Sequence, residues 1–339
     1  MLLKGDIVVE EGVTLSILPG CEIRYFSGKP VNQTHYIRNT AMGSMDVLQD
    51  ERIEIVVEGK LEAAGEPKKK IRFTGGKNSG GILFLSRTPG SKLTWAGFGD
   101  MPIALRCYGE ASPDLENLDI SDCVLGGIGL WDTASPLIKN CSIKNCGHGI
   151  GAADFSRAVI TGNRISFSQK AGIFTEGGAM VEIRENILSG NNVGVACGDI
   201  SEPKIEKNEI SGNGAGIVLW VKAGPSIAGN RIFNNMTGIV MQEESSALIE
   251  ENVFSENGGA IGAKDAARPR IRNNTFERNP RNLIISGGAV ALVEGNVFRE
   301  SEEGIRAEEV SRVRTKKNLF ENITEERKLL NHAVIEEVQ

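Results

Sequence analysis

Apolar residues fall in three columns that keep the same beat through most of this chain. One runs Ile160, Ile183, Ile205, Ile227, Ile249, Ile271 and Val293. The next runs Ile165, Leu188, Ile210, Ile232, Phe254, Phe276, Phe298 and Phe320, and extends back through Ile143 and Ile120. A third, mostly preceded by Gly, runs Ile128, Ile150, Ile173, Val195, Ile217, Ile239, Ile261, Leu283 and Ile305. Between the columns lie Gly, Asn, Ser and Pro, so each period reads as three short strands separated by turns. Nothing in the repeat has helical spacing.

A polar column marks the period most clearly. Asn163, Asn186, Asn208, Asn230, Asn252, Asn274, Asn296 and Asn318 recur at intervals of 23 and then 22 residues. A unit this short cannot bury its own apolar faces, so it must stack on its neighbours, with each residue above its equivalent one turn away. The expected fold is all-β: a single-stranded right-handed parallel β-helix of about 22 residues and three strands per coil. Stacked Asn amides can donate and accept along the column, which satisfies a polar side chain in or near the core. A second column, Asn191, Asn213, Asn235, Asn257 and Asn279, supports the same reading.

The first hundred residues follow a looser version of this plan. Val13, Leu15 and Ile17 alternate, Pro19-Gly20 turns, and Cys21, Ile23 and Tyr25 alternate again; Ile53 to Phe73 repeats the scheme. The aperiodic stretch from Gly28 to Asp50 reads as a loop, inserted over residues 29–50, and such loops on rigid scaffolds often carry function. The β-helix is thus expected over residues 1–323, with 324–339 as a C-terminal cap or tail. In that tail Leu329, Leu330, Ala333 and Val334 would share one helical face, a final strand being the alternative.

Composition narrows the partners. Gly at 41 residues and only 5% aromatics suit tight turns and an aliphatic core, and a net charge of -6 with no basic patch argues against nucleic acid. No apolar run reaches membrane-spanning length. Met1 to Lys4 runs directly into Ile7 to Val9, which leaves no room for a signal peptide, so the chain is either cytoplasmic or begins after a removed leader. Cys123 and Cys146 should stack on adjacent coils, within disulfide reach, although their simpler role is as small buried residues. Cys141 replaces a ladder Asn, and Cys21 and Cys197 read as interior. No cysteine pair or Cys/His cluster has zinc spacing.

The repeat "NEISGNGAGI" from Asn208 to Ile217 resembles the right-handed parallel β-helix repeats of the pectin-lyase-like superfamily, in the style of carbohydrate-binding and sugar-hydrolysis repeats and of NosD-type periplasmic proteins. The opening "GDIVVEEGVTLSILPGCEIRYF" and "GKLEAAGEPKKKIRFTG" resemble first coils of such proteins. The resemblance covers nearly the whole chain and implies a periplasmic or extracellular location. It implies no single activity, because this fold hosts lyases, hydrolases, epimerases, adhesins and accessory proteins alike.

Within the repeat one acidic column stands out four residues after the third apolar column: Asp132, Asp154, Asp199, Glu243, Asp265 and Glu309. Asp132 and Asp154 would lie one coil apart, as would Glu243 and Asp265. Carboxylates that close are relieved by a cation, by a raised pKa on one of them, or by splaying into water. A protonated member would act as general acid in a glycosidase; with Ca²⁺ at Asp132 and Asp154, Lys222 or Lys264 would serve as base in a uronate lyase. Against both stands the simple alternative of solvated turn residues.

Trp131 and Trp220, one position before that column, are expected to point outward and offer faces for sugar stacking, the alternative being packing under a neighbouring loop. His148 in "CGHGIG" superficially resembles a polygalacturonase motif, but its glycines belong to the repeat, so it reads as a turn residue; His35 and Tyr36 sit in the inserted loop. No phosphate loop, dinucleotide fingerprint or Ser-His-Asp order is present. Three functions are therefore carried forward. The first is a noncatalytic extracytoplasmic scaffold that binds polysaccharide; the second is a polysaccharide lyase, hydrolase or epimerase using the acidic column. The third is a NosD-type accessory protein with a protein partner. No cofactor other than Ca²⁺ is expected.

Overall fold

The computed structural model describes residues 1–26, 52–85 and 87–338. The inserted loop with His35 and Tyr36 lies outside the described residues. All described secondary structure is β-strand, and the strands pair in parallel as a right-handed β-solenoid. The chain divides into two compact units, residues 1–174 and 175–339.

In the second unit the repeat is nearly ideal. The first strand of one coil, Lys204–Glu206, lies on Ser226–Ala228 with Ile205 opposite Ile227. The second, Glu209–Ser211, lies on Arg231–Phe233 with Ile210 opposite Ile232, and the third, Ala215–Leu219, on Thr237–Met241 with Ile217 opposite Ile239. Every one of these apolar residues is fully buried, because alternation along a strand sends them to the inside of the coil. Phe254, Phe276 and Phe298 continue the second column as a stack with ring centroids 4.9 Å apart, and Phe320 ends it.

Small residues precede the third column for a steric reason. A Cβ built on Gly216 would lie 2.5 Å from the Gly238 carbonyl oxygen, and one on Gly238 equally close to that of Ala260.

The asparagine ladder closes the turn between the first two strands. Asn230 Oδ1 accepts from the Asn208 backbone N–H at 2.9 Å and from Asn208 Nδ2 at 3.0 Å. Its own Nδ2 donates to the Ile205 carbonyl at 2.8 Å and to Asn252 Oδ1 at 2.9 Å. Each amide thus ties side chain, main chain and the next coil together, which is more than the amide-to-amide stack expected from the sequence. The second column, Asn191 to Asn279, repeats the arrangement at the next turn.

Of the two readings of the C-terminal tail, helix or final strand, the strand holds: Leu319–Leu329 and Val334–Glu337 pair with Val297–Ala307 and Arg312–Lys316. The open edge of the preceding coil presents a row of unpaired N–H and C=O groups, and the tail satisfies them only as a strand.

The first unit holds the same three-strand coil with more departures. The second and third strands fuse into the continuous strands Ala96–Cys107 and Asp119–Leu130, with a register shift between Met101 and Ile103. Its interior is built by Ile23, Ile55, Leu61, Phe73, Leu93, Leu105, Ile120, Ile128 and Ile150, all buried, and Phe73 stacks on Phe98 at 4.5 Å. Cys21, expected inside, is exposed, while Cys197 of the second unit is buried as expected.

Candidate functional site

The acidic column occupies one recurrent turn. Asp132, Asp154, Asp199, Glu243, Asp265 and Glu309 all have positive φ, between 54° and 61°. Asp is one of the few residues other than Gly that tolerates this left-handed conformation, since its short side chain can bond locally. Here the carboxylates of Asp132, Asp154, Asp199, Glu243 and Asp265 each reach back one coil to a main-chain donor. The Gly109 N–H donates to Asp132 at 2.9 Å, and the Asp132 N–H to Asp154 at 2.9 Å. In the second unit Gly177 donates to Asp199 at 3.2 Å, Val221 to Glu243 at 3.1 Å, and Glu243 to Asp265 at 3.1 Å. Asp132 and Asp154 are therefore neighbours, as are Glu243 and Asp265, but within each pair one carboxylate faces the other residue's main chain. Lys222 is exposed and lies 3.7 Å from Glu244; Lys264 lies 4.0 Å from Asp265. Among the described residues no three His, Cys, Asp or Glu side chains group as a metal site.

The tryptophans differ from expectation. Leu130 points inward as alternation requires, yet Trp131 is fully buried rather than exposed. Its six-membered ring lies over Gly129, where an added Cβ would meet it at 2.2 Å, and it stacks on Tyr108 at 4.6 Å with planes 6° apart. Val56, Leu83, Ile103 and Ala153 complete the cluster, with Phe174 packed against it. Trp220 is half-buried and folds across Gly198, 2.4 Å from the Cβ that Gly198 lacks. In both places glycine on the sheet makes room for the indole.

That cluster marks a face that sequence reading missed. Val56, Leu83, Arg106, Gly129 and Gly151 form one row across the third strands. Arg106 is buried and ion-paired with Glu54 in this row's neighbourhood. His148 belongs to strand His148–Ala152 and is buried, which corrects its reading as a turn residue. Its ring lies 5.0 Å from Phe174. Burial, aided by the Lys170 charge, pushes its pKa down to about 4. The signal in the sequence was the run of small and apolar residues on both sides of these strands, Gly126 to Leu130 and Gly147 to Ala153, where solvated positions would normally be polar.

An open groove of about 520 Å³ crosses the neighbouring second strands of the first unit. Two rows make its floor: Arg72, Gly97 and Asp119, and Thr74, Gly99 and Ser121. Pro67, Lys68 and Lys70 form a wall. Lys70 pairs with Asp119 and lies 5.9 Å from the centre of the Trp95 ring. Among the described residues Lys68 and Arg72 have no carboxylate partner. The two glycines leave the floor low and put flat peptide surface beside Arg72. The sequence signal was "EPKKKIRF", already singled out as part of an opening coil.

Thiol chemistry is muted at most cysteines. Burial pushes Cys141 and Cys197 up to about 12 and raises Cys107 further. Cys123 is raised by its Cys146 neighbour and by burial, and its thiol donates to the Ser121 carbonyl at 3.5 Å, as that of Cys146 does to Lys144 at 3.3 Å.

Comparison with known proteins places the fold. The family described as "Right handed beta helix region" matches residues 91–202 and 126–260, which together span half of the 339 residues. A second, "Periplasmic copper-binding protein (NosD)", matches residues 202–329. No curated protein matches the sequence. Among solved structures, the A-module of the Azotobacter vinelandii mannuronan C-5 epimerase AlgE6 is similar with a TM-score of 0.55 and 13% identity, over 85% of this chain and 91% of that one. A variant of the periplasmic alginate epimerase AlgG gives a TM-score of 0.53 and 12% identity, over 85% and 78%. At these identities the likeness is one of fold.

The copper in the second description finds no fitting donors where the match lies. Residues 202–329 contain no Cys and no His; of their methionines Met236 is exposed and Met241 is buried in the core. Imidazole and sulfur are the donors copper favours, and that segment supplies neither His nor Cys. The three stacked columns, the ladders and the matched segment agree: the chain belongs to the right-handed β-helix family.

Proposed function

We propose that this protein is a noncatalytic, extracytoplasmic β-helix that binds an anionic polysaccharide. The observation that carries the reading is the groove of Lys68, Lys70 and Arg72 over the glycine floor of Gly97 and Gly99. In a chain of net charge -6, two cations that have no carboxylate partner among the described residues, beside a shallow channel, favour an acidic ligand. An extended chain of carboxylated sugars fits such a channel: its carboxylates meet the cations and its ring faces lie on flat backbone and near Trp95. Charge pairing of this kind is weakened by salt. The structurally similar alginate epimerases support the same substrate class. The periplasmic description of NosD supports an extracytoplasmic place, and among the described residues no helix is long and apolar enough to cross a membrane.

The acidic column does not supply the chemistry in this reading. Its carboxylates act as main-chain acceptors at left-handed turns, a sufficient reason for their recurrence. The test uses oligomannuronate, oligoguluronate and oligogalacturonate against a neutral glucan, read by calorimetry at two salt concentrations. Binding of at least one uronate series is expected, falling about tenfold or more in the Lys68→Glu/Arg72→Glu double variant, as roughly 1.4 kcal/mol of lost interaction would give. Absence of uronate binding would overturn the ligand class. Appearance of reducing ends, unsaturated uronate or epimerised residues would overturn the noncatalytic role.

A further inference from the structure

One of the three cations that wall the groove is already held by a carboxylate of the chain itself. The Ile71 N–H donates to the Trp95 carbonyl at 3.1 Å, so Lys70 begins beside Trp95 at the turn that enters the second strands. Arg72, Gly97 and Asp119 stand in one row on successive coils, which puts Asp119 two strand spacings from Arg72, about 9.5 Å. By pairing with Asp119, the Lys70 side chain reaches past the whole intervening coil. On the way its ammonium lies 5.9 Å from the centre of the Trp95 ring. A Cβ added to Gly97 would meet nothing nearer than the Asp119 carbonyl oxygen at 3.8 Å, so the floor beside the pair stays open.

Trp95 is an unexpected residue at its turn. Its φ is 51°, and the following coils fill the equivalent place with Asn117 and Asn140, which accept a left-handed φ more readily than a bulky aromatic does. Such a departure is what a functional demand on side-chain placement leaves behind. Here the indole holds the Lys70 ammonium by a cation–π contact, at the point where charge pairing and ring stacking on a sugar coincide. Asp119 offers Lys70 the same group that a uronate would. The pair is solvated, with Asp119 55% and Lys70 32% exposed, so exchanging one carboxylate for another costs little.

We propose that Asp119 is a specificity-determining residue of the groove, an internal competitor that holds Lys70 until a carboxylate of the ligand takes its place. The inference rests on the polyuronate reading and adds the means of selection. A neutral glycan has nothing to exchange for Asp119 and draws nothing from Lys70. A uronate releases Asp119 to water and pairs with an ammonium that Trp95 keeps in position. Selection thus uses a competing contact as well as an attractive one.

The test is a double-mutant cycle read by calorimetry, with oligogalacturonate, oligomannuronate and oligoguluronate as probes and wild type, Asp119→Asn, Lys70→Met and the double variant as proteins. Asp119→Asn is expected to bind uronate about threefold more tightly than the wild type, the scale of an exposed ion pair, and the gain should shrink as salt is raised. Lys70→Met should cost more in the Asp119→Asn background than in the wild type, by a coupling of about threefold, because only a free lysine gives its full pairing to the ligand. A neutral glucan should respond to neither change, and thermal unfolding should leave all four proteins alike. If the wild type binds uronate and Asp119→Asn binds equally or more weakly, the competitor role is overturned while the groove reading stands. A larger cost of Lys70→Met in the wild type than in Asp119→Asn would also overturn it, because Lys70 would then serve to neutralise Asp119 in the bound state. Failure of all four proteins to bind any uronate would remove the polyuronate reading and this inference with it.

Discussion

The two units run the same three-strand coil with opposite economies. Residues 175–339 spend their polar core positions on order: Asn208, Asn230, Asn252 and Asn274 repeat the same set of hydrogen bonds, and Phe254, Phe276 and Phe298 the same stack. Residues 1–174 keep one such amide, Asn163, which accepts from the Cys141 N–H at 2.8 Å, and place Cys141, Cys123 and Cys146 at other positions of the two columns. The outer face of the third strands differs as well. In the first unit it carries the Trp131 and Tyr108 stack, buried Arg106 and buried His148. In the second it ends in a partly solvated charge network, with Lys328 at 2.9 Å and Arg306 at 3.5 Å from Glu303. Uniform coils repeat one set of contacts, whereas departures from uniformity create grooves and buried clusters that differ from coil to coil. The groove, the aromatic face and the thiol pair all lie in the irregular unit.

The largest expected effect comes from breaking the uniform unit. Asn230→Ala removes the acceptor of the buried Asn208 N–H and a donor to the Ile205 carbonyl. A buried donor left without a partner costs about 1–3 kcal/mol, and the lost bonds beside it bring the total to roughly 3 kcal/mol. Urea unfolding should show that loss with an unchanged m-value. A change under about 0.5 kcal/mol would mean that the ladder follows from the coil and does not hold it.

A smaller effect separates the irregular unit. His148 has its pKa depressed to about 4 by burial and by Lys170, against 6.5 in an unfolded chain. Above pH 6.5 both states are neutral and the residue is silent. Between 6.5 and about 4 the unfolded chain takes up the proton first, so stability falls as pH drops through that window. His148→Gln should flatten this part of the curve, measured as urea midpoints of variant and wild type at pH 7.5 and 4.5. Parallel curves would mean that His148 titrates normally and is open to solvent.

Coil length, register and nearly every interior residue of the second unit were legible in the sequence, because a repeat fixes which residue stacks on which. Ile205, Ile227 and Ile249 needed no structure to place. Direction out of the barrel was legible too, but not what covers it. Alternation with Leu130 correctly turned Trp131 away from the interior, while its burial depends on Gly129 beneath it and Tyr108 beside it, contacts that periodicity does not encode. His148 was masked by the glycines that flank it. The groove was hidden because Arg72, Gly97 and Asp119 meet only once three coils are in register. The tail was left between helix and strand because a short amphipathic segment fits either period, and the waiting edge of Val297–Ala307 decides for the strand.

The smallest effect is the most discriminating one for the acidic column that both units share. In Asp265→Asn the new side chain keeps an oxygen to accept the Glu243 N–H, and Asn tolerates the φ of 61° as well as Asp does. If the column is turn chemistry, the substitution should move stability by less than about 0.5 kcal/mol. Asp132→Asn should behave alike, its acceptor for Gly109 being retained. Asp265→Ala is the control: it loses the acceptor and strains the turn, for about 1–2 kcal/mol. Chemistry or Ca²⁺ binding at these carboxylates would invert the ranking, since Asn removes the charge that both require. Asn variants as stable as the wild type but deficient in calcium or uronate binding would therefore restore a functional role to the column, and equal behaviour in both assays confines it to architecture.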